Sequence, residues 1–324
     1  MTTHNKLIIR AATDEDIPAI VNLFSICLRD EGGSPTADFW RWKHLMNPFG
    51  KSPVLLAYSN QQLVGLRAFL RWQWRQHDKV YSAYRAVDTA THPDFQGQGI
   101  FRNLTTQLWH QIQEEDPGCF VYNTPNEKSR PGYLKMGWQV LGKPKAEFRL
   151  APGLGLQRKT NWEKAVASLK EIDFTKIPGI EKSRSFSELI QTNSSSTYYA
   201  WRYQMVPDRK YGYWQVETKQ GVVAFLFYLR NRTGFTELRI CDELVFDNDG
   251  NAHQVLEEGW SLLARKFSGC VVTRLCHEPK QGSKLLQRFI PAVTLRLPGD
   301  RTALPIGISS INSWNFEMGA LELF

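Results

Sequence analysis

The stretch Val87-Asp88-Thr89-Ala90-Thr91-His92-Pro93-Asp94-Phe95-Gln96-Gly97-Gln98-Gly99-Ile100-Phe101-Arg102 carries the strongest structural signal in this 324-residue chain. It begins as a strand, passes through two glycines, and continues into a segment with apolar side chains at helical spacing. Gly97 and Gly99 permit a tight turn with inward-pointing backbone amides, and the helix start adds a partial positive charge. The pattern therefore predicts a pocket for a pyrophosphate-sized anion, with an ordinary strand–turn–helix connection as the alternative.

Composition limits the class of protein. The chain is 42% hydrophobic and 22% charged, which predicts a folded core and excludes a disordered or low-complexity chain. Its length is that of about two domains. No apolar run approaches the ~20 residues that a membrane-spanning helix needs, and Met1–Lys6 are not followed by a signal-peptide core. We therefore expect a cytoplasmic protein without membrane attachment.

Cysteine spacing and charge exclude two further kinds of site. The five cysteines are scattered and odd in number, and the seven histidines do not pair at ligand spacing, so we expect reduced thiols and no metal. The net charge of +8 divides equally between residues 1–150 and the remainder, without a basic stripe. Nothing in this distribution argues for nucleic acid, and a mildly basic surface suits an anionic ligand equally well.

The chain repeats itself. Residues 39–70 align without a gap with residues 198–229, and seven of these 32 pairs are identical. Three further segments match in order: 86–88 with 240–242, 118–121 with 269–272, and 148–150 with 295–297. We predict two related domains, residues 1–150 and 176–324, separated by a linker region at 151–175 that begins with proline and glycine.

Each half predicts the same coarse plan of several strands, one hairpin and few helices. In the first half we expect strands at 8–11, 54–58, 63–74, 81–91 and 119–122, with helices after Asp16 and after Gly99. In the second half we expect strands at 222–229, 237–246 and 269–274, with a helix at 252–267. This order predicts the α+β class, with a mixed, mostly antiparallel sheet flanked by helices in each domain.

Two motifs resemble those of the GNAT superfamily, the acetyl-CoA-dependent N-acetyltransferases. Gln96-Gly97-Gln98-Gly99-Ile100-Phe101, preceded by His92-Pro93-Asp94, is similar to the family loop Gln/Arg-x-x-Gly-x-Gly/Ala. Phe101 departs from it in place of a small residue, either crowding the pyrophosphate or packing beneath the helix. Tyr133-Leu134-Lys135-Met136-Gly137-Trp138 resembles the closing Tyr-x-x-x-Gly-aromatic signature. The resemblance covers residues 7–150, and the repeat extends it to tandem GNAT-like domains.

The resemblance implies roles for individual residues around acetyl-CoA. Backbone amides of the loop would hold the pyrophosphate, the edge of the preceding strand would bind the pantetheine arm, and two asparagines would make further polar contacts. These cofactor-binding residues are Gln96, Gly97, Gln98, Gly99, Ile100, Phe101 and Arg102 in the loop, Thr89, Ala90 and Thr91 on the strand, and Asn123 and Asn126 after the next strand.

The resemblance also implies catalytic residues. Tyr133 would protonate the departing thiolate as general acid, with packing of an aromatic side chain as the alternative. Asp88 is a candidate base, although Asp242 in the repeat favours a shared structural role for it. Glu127 is a second candidate base, and Glu278 matches it in the same way. Transfer through water without a side-chain base stays open.

The second half departs from the motif. Asp247-Asn248-Asp249-Gly250 stands where the loop is expected, and its carboxylates would repel phosphates. Residues 285–289 have no tyrosine at the position of the acid. We therefore expect a degenerate GNAT-like domain without the pyrophosphate loop.

The sequence thus predicts an acetyl-CoA-dependent N-acetyltransferase in which a primary amine attacks the thioester directly. The alternatives are an aminoacyl transferase of the tandem GNAT-like type, which uses charged tRNA, and a non-catalytic scaffold that binds CoA. The expected acceptor is a small-molecule or peptide amine, with no nucleic acid or membrane partner. The chain would be a monomer or a homodimer.

Overall fold

The computed structural model describes residues 7–28, 35–152, 162–177, 180, 188–247, 251–277 and 290–321. Packing divides the chain into two compact units. The first comprises residues 1–74, 81–141 and 293–305, and the second comprises 75–80, 142–292 and 306–324.

Both units combine strands and helices. The strands in chain order are β1 (Ile8–Ala11), β2 (Val54–Ser59), β3 (Gln62–Gln76), β4 (Lys79–Thr91), β5 (Phe120–Asn123), β6 (Gln139–Gly142), β7 (Lys145–Leu150), β8 (Gln191–Thr192), β9 (Gly212–Glu217), β10 (Gly221–Arg232), β11 (Phe235–Asp247), β12 (Cys270–Cys276) and β13 (Val293–Arg296). The α-helices are α1 (Ile17–Cys27), α2 (Ala37–His44), α3 (Ile100–Glu115), α4 (Arg130–Lys135), α5 (Trp162–Glu171), α6 (Ser196–Tyr199), α7 (Ala252–Lys266) and α8 (Met318–Leu321). The predicted α+β class is confirmed.

The first sheet has the strand order β1-β2-β3-β4-β5-β13-β6. Strands β2 and β3 form an antiparallel hairpin, β4 and β5 run parallel, and β13 lies antiparallel to β5. Helix α3 packs on one face of this sheet and α1 on the other, each through apolar side chains spaced three or four residues apart.

The second sheet repeats this plan in the order β9-β10-β11-β12-β7. Its β10–β11 hairpin is antiparallel, β11 and β12 are parallel, and β7 closes the order antiparallel to β12. Helix α7 packs on it through a core that includes Val255, Trp260 and Leu263.

Strands β7 and β13 each belong to a different unit from the one predicted for them. Strand β7 lies within the predicted domain 1–150 but belongs to the second sheet, while β13, within 176–324, belongs to the first. Within the predicted linker, residues 153–161 lie outside the described residues, and 162–171 form α5. The relatedness of the two halves stays a prediction from sequence.

Among the described residues, no helix is both long enough and apolar enough to cross a bilayer.

Gly65 on β3 sets how closely α3 approaches the sheet. A Cβ built at this position would lie 2.4 Å from Cγ2 of Ile100 and 3.3 Å from Cδ1 of Leu104. The missing side chain therefore lets the first turn of α3, and the loop before it, rest directly above β3.

We predict that Gly65→Ala destabilises the protein, because the added methyl group overpacks the interface between β3 and α3. Overpacking of this kind costs about 1–3 kcal/mol of unfolding free energy. Urea unfolding measures the loss. Gly118→Ala is the control, since its Cβ would meet Ala303 at an ordinary 3.6 Å. Equal stability of the two variants would contradict the close approach.

Candidate active site

The glycine loop has the backbone conformation that the sequence predicted. Gly97 and Gly99 both have φ of 77°, in the left-handed region that disfavours side chains. A Cβ at either position would meet nothing within 4 Å, so conformation rather than crowding requires glycine here. Residues Gln96–Gly99 are exposed, and Gly99 caps the sixteen-residue helix α3. The first amides of a helix lack intrahelical acceptors, so this exposed helix start suits an anion.

The strand before the loop has a partly unpaired edge. The parallel register joins Ala83–Arg85 of β4 to Phe120–Tyr122 of β5, and β4 then continues for six residues to Thr91. In the described part of the chain β5 ends at Asn123, so the last part of β4 has no partner strand on that side. This arrangement leaves a strand edge next to the glycine loop.

The three strand residues predicted to bind pantetheine are differently placed. Thr89 donates its hydroxyl to the Leu66 carbonyl (3.3 Å), which ties it to β3. Ala90 is buried in the core, and the carbonyl of Thr91 accepts the Cys27 thiol (3.4 Å). Any hydrogen bond from these residues to a ligand would therefore be made by the backbone groups of this strand edge.

Asp88 lies at an irregular point of β4 and is held by two partners. Its φ is 36°, which is uncommon outside glycine. Its Oδ2 lies 2.7 Å from Nζ of Lys43 and 2.7 Å from Nε2 of His44, both nearly inaccessible side chains at the end of α2. Burial would raise the pKa of Asp88, but the charge of Lys43 and the His44 hydrogen bond outweigh it and hold that pKa well below its usual range. Burial also lowers the pKa of His44.

The second unit contains the corresponding arrangement. Tyr203, aligned with His44 in the repeat, donates its hydroxyl to Oδ2 of buried Asp242 (2.8 Å). Its neighbour Arg202, aligned with Lys43, is also buried and donates to the Gly319 carbonyl (3.1 Å). In both units, therefore, a buried side chain of a helical segment is hydrogen-bonded to an aspartate of a strand; we call this contact the polar tie. It is present even in the unit whose sequence has no glycine loop.

Tyr133 is buried at the end of α4, with 4% of its surface exposed. Its ring meets those of Phe101 and Trp138 edge-on, at centroid distances of 5.4 and 5.2 Å. The ring of Phe101 also lies beside Gly132, whose Cβ would be 3.6 Å from it. Phe101 therefore packs against α4.

The remaining predicted residues have mixed surroundings. Asn123 is buried and accepts the Thr294 hydroxyl, whereas exposed Asn126 accepts the amide of Ser129 (2.8 Å) at the start of α4. Arg102 and Glu127 are exposed. Glu278, residues 248–250 and residues 285–289 lie outside the described residues, so the degenerate second loop stays a prediction.

Sequence analysis missed Arg67, which lies in the middle of β3 and is 1% exposed. Its guanidinium carbon lies 5.0, 5.6 and 5.4 Å from the ring centroids of Phe69, Phe101 and Tyr133. The one available signal was a charged residue inside the apolar run Leu63–Leu70. Arg67 thus contacts the rings of Phe101, directly after the glycine loop, and of Tyr133.

We predict that Asp88→Asn lowers the unfolding free energy by about 3–5 kcal/mol at neutral pH, because it leaves the Lys43 charge buried without its counter-ion. The pKa of Asp88 is lower in the folded state than in the unfolded state. The carboxylate therefore contributes its full share of the unfolding free energy above the unfolded pKa of about 4, and this share is lost as the pH falls towards the folded pKa. Urea unfolding of both proteins, repeated between pH 7 and pH 3, measures this.

The control for that experiment is Asp38→Asn, which removes an exposed ion pair with Arg41. We expect a change within about 0.5 kcal/mol. A difference between wild type and Asp88→Asn that stays constant on acidification would contradict the ionised, ion-paired Asp88.

Comparison with known proteins finds one matching family model, which lies in the first part of the chain. Residues 8–141 match the family model described as an acetyltransferase (GNAT) domain. No curated protein matches the sequence.

Solved structures show the same fold over most of the chain. A probable N-acyltransferase from Enterococcus faecalis is 11% identical with a TM-score of 0.60, and 90% of this chain covers 73% of that one. A GCN5-related N-acetyltransferase from Anabaena variabilis is 16% identical with a TM-score of 0.59 and the same coverages. N-myristoyltransferase of Saccharomyces cerevisiae with bound myristoyl-CoA is 11% identical, with a TM-score of 0.53 and coverages of 91% and 84%.

At these identities the structural matches establish the fold, and the family model supplies the relationship. It spans the left-handed glycine loop, helix α3 and Tyr133, the features on which the resemblance was based. Residues 8–141 of this chain therefore match a GNAT acetyltransferase domain, in agreement with the resemblance of its motifs.

Proposed function

We propose that this protein is an N-acyltransferase that uses acetyl-CoA and transfers the acyl group to a primary amine by direct attack on the thioester. One observation carries the proposal: the exposed left-handed glycine loop at the start of α3 lies at the end of a strand edge that β5 leaves unpaired. An acyl-CoA could place its pyrophosphate on the loop and its pantetheine arm along this edge. The family match and the myristoyl-CoA-bound neighbour support this choice of co-substrate.

In the proposed reaction, the amine nitrogen attacks the thioester carbonyl and a C–N bond forms. The C–S bond then breaks, and its electron pair leaves with the sulfur. Tyr133 gives its hydroxyl proton to this thiolate, and the proton lost by the ammonium restores the phenol through solvent. Tyr133 suits this step because its ring contacts that of Phe101. Phe101 is in the first turn of α3, directly after the glycine loop.

We propose a structural role for Asp88 rather than that of the base. Its carboxylate is held between Lys43 and His44, and a pKa well below the usual range makes it a poor proton acceptor. The Tyr203–Asp242 hydrogen bond in the second unit supports this role. Deprotonation of the amine would then proceed through water, or through the exposed Glu127.

A non-catalytic CoA-binding protein is the second candidate, favoured by the position of Phe101. The ring packs beside Tyr133 and Gly132, at the position where the family loop has a small residue. The tandem aminoacyl transferases remain a third possibility, which the glycine loop in the first unit disfavours. A small-molecule or peptide amine acceptor and a monomeric or homodimeric state complete the proposal.

We predict that titration calorimetry finds one acetyl-CoA site per chain and that Gly99→Asp abolishes it, because a carboxylate at the helix start repels the pyrophosphate. The matched control is Gly234→Asp in the β10–β11 turn. Gly234 has a φ of 87° and open space around it, so this variant carries the same backbone strain and the same charge. Two sites would refute the degenerate second domain, and no binding at millimolar ligand would refute the proposed function.

We predict that Tyr133→Phe lowers kcat about 10²–10⁴-fold, the usual contribution of a general acid, and changes acetyl-CoA affinity less than twofold. Release of the CoA thiol with a panel of primary amines measures the rate. Tyr84→Phe is the control, since its buried hydroxyl has no hydrogen-bond partner among the described residues. Full turnover by Tyr133→Phe would exclude the acid role, and binding without turnover by the wild type would favour the non-catalytic candidate.

A further inference from the structure

Arg67 is a buried cation surrounded by aromatic rings. It lies at the middle of β3, opposite Leu55 of β2, and the rings of Phe69, Phe101 and Tyr133 surround its guanidinium at 5.0–5.6 Å. Such contacts attract the cation through the negative faces of the rings. They leave its N–H groups without an acceptor.

The structure provides no acceptor for these groups. Within the described ranges, Nε, Nη1 and Nη2 of Arg67 are all buried and have no hydrogen-bond partner. Arg71, four residues along the same strand, shows the ordinary case. It also lies over a ring, that of Tyr84, but donates to the Lys51 carbonyl (3.1 Å) and pairs with Glu115 (3.7 Å).

An unsatisfied buried charge is costly, and a well-placed anion would remove that cost. Guanidinium is also the side-chain group best suited to hold an anion, because its donors are fixed in a plane. The unpaired state of Arg67 therefore points to a negative charge that a ligand brings to this place.

Arg67 is confined to the unit that has the glycine loop. The repeat aligns it with Leu226, a fully buried residue of β10. The polar tie at Asp88 and Asp242, in contrast, is present in both units. A residue needed only for folding would be expected in both, so this difference associates Arg67 with the acyl-CoA chemistry.

We propose that Arg67 binds the negative charge that leaves with the coenzyme A sulfur. This inference rests on the proposed function. When the C–S bond breaks, its electron pair makes the sulfur an anion, and proton transfer from Tyr133 moves that charge onto the phenol oxygen. The guanidinium carbon lies 5.4 Å from the centre of the Tyr133 ring, so in this proposal the cation is near the charge both before and after the proton moves. Arg67 thereby stabilises the leaving group and favours the thiolate form of the product.

The test compares the binding of CoA and acetyl-CoA by calorimetry at pH 7 and pH 9. Only CoA has a thiol, which ionises over this interval. For the wild type we expect the affinity ratio of CoA to acetyl-CoA to rise about tenfold or more, as for a hydrogen bond to a charged group. Arg67→Met should abolish the rise and leave acetyl-CoA affinity within about twofold, the range of a lost neutral contact. Bound thiolate is also observed directly by its ultraviolet absorbance.

Two variants separate this role from a structural one. Arg71→Met, on the same strand and also stacked on a ring, should keep the full rise with pH. Arg67→Lys keeps the charge and should retain part of the rise, which preserves the test if Arg67→Met does not fold. Thermal unfolding should give Arg67→Met a midpoint equal to or above that of the wild type, because it removes an unsatisfied charge.

Three results would overturn the inference. The first is an affinity ratio of CoA to acetyl-CoA that does not change with pH in the wild type. The second is a rise of this ratio that persists in Arg67→Met. The third is an equal loss of affinity for CoA and acetyl-CoA in Arg67→Met. Failure of the wild type to bind either ligand is a separate outcome, and it refutes the proposed function together with this role.

Discussion

The ion pair of Asp88 with Lys43 and its hydrogen bond with His44 fix the point on which the arrangement of the first unit depends. They join the end of α2 to β4 at a residue whose φ is 36°. A side chain at positive φ is strained, and two buried partners make that conformation stable. Asp88 lies between the part of β4 that pairs with β5 and the part next to the glycine loop that β5 leaves unpaired. A comparable hydrogen bond at Asp242 in the second unit supports a structural role for this contact.

The two sheets share one plan, and each takes a strand from the other half of the sequence. In both, a parallel pair is followed by an antiparallel strand, β13 in the first sheet and β7 in the second. The sequence repeat aligns these two strands with each other. A cut between residues 150 and 176 would therefore separate β7 from the second sheet, and it would separate β13 and β8, which pairs with β3, from the first.

The two units differ where the proposed chemistry requires charge. The first has an exposed helix start preceded by two left-handed glycines, and a buried guanidinium beneath it. The second has an aspartate-rich stretch and a buried leucine at the matching positions. The sequence thus predicts an anion site in one unit only, while the packing plan occurs in both. The aromatic rings connect these features, since Phe101 contacts both Tyr133 and Arg67.

The sequence by itself determined the features that depend on neighbouring residues. Gly97, Gly99 and the apolar spacing of α3 follow from local backbone preference and helical period, and the repeat revealed that two similar units exist. Only the tertiary structure decided which sheet β7 and β13 join, because strand pairing depends on contacts far apart in the chain. It also decided that Asp88 is ion-paired and that buried Arg67 has no hydrogen-bond acceptor among the described residues. Charge pairing and burial are set by side chains from distant segments, and no local pattern at residue 67 or 88 specifies them.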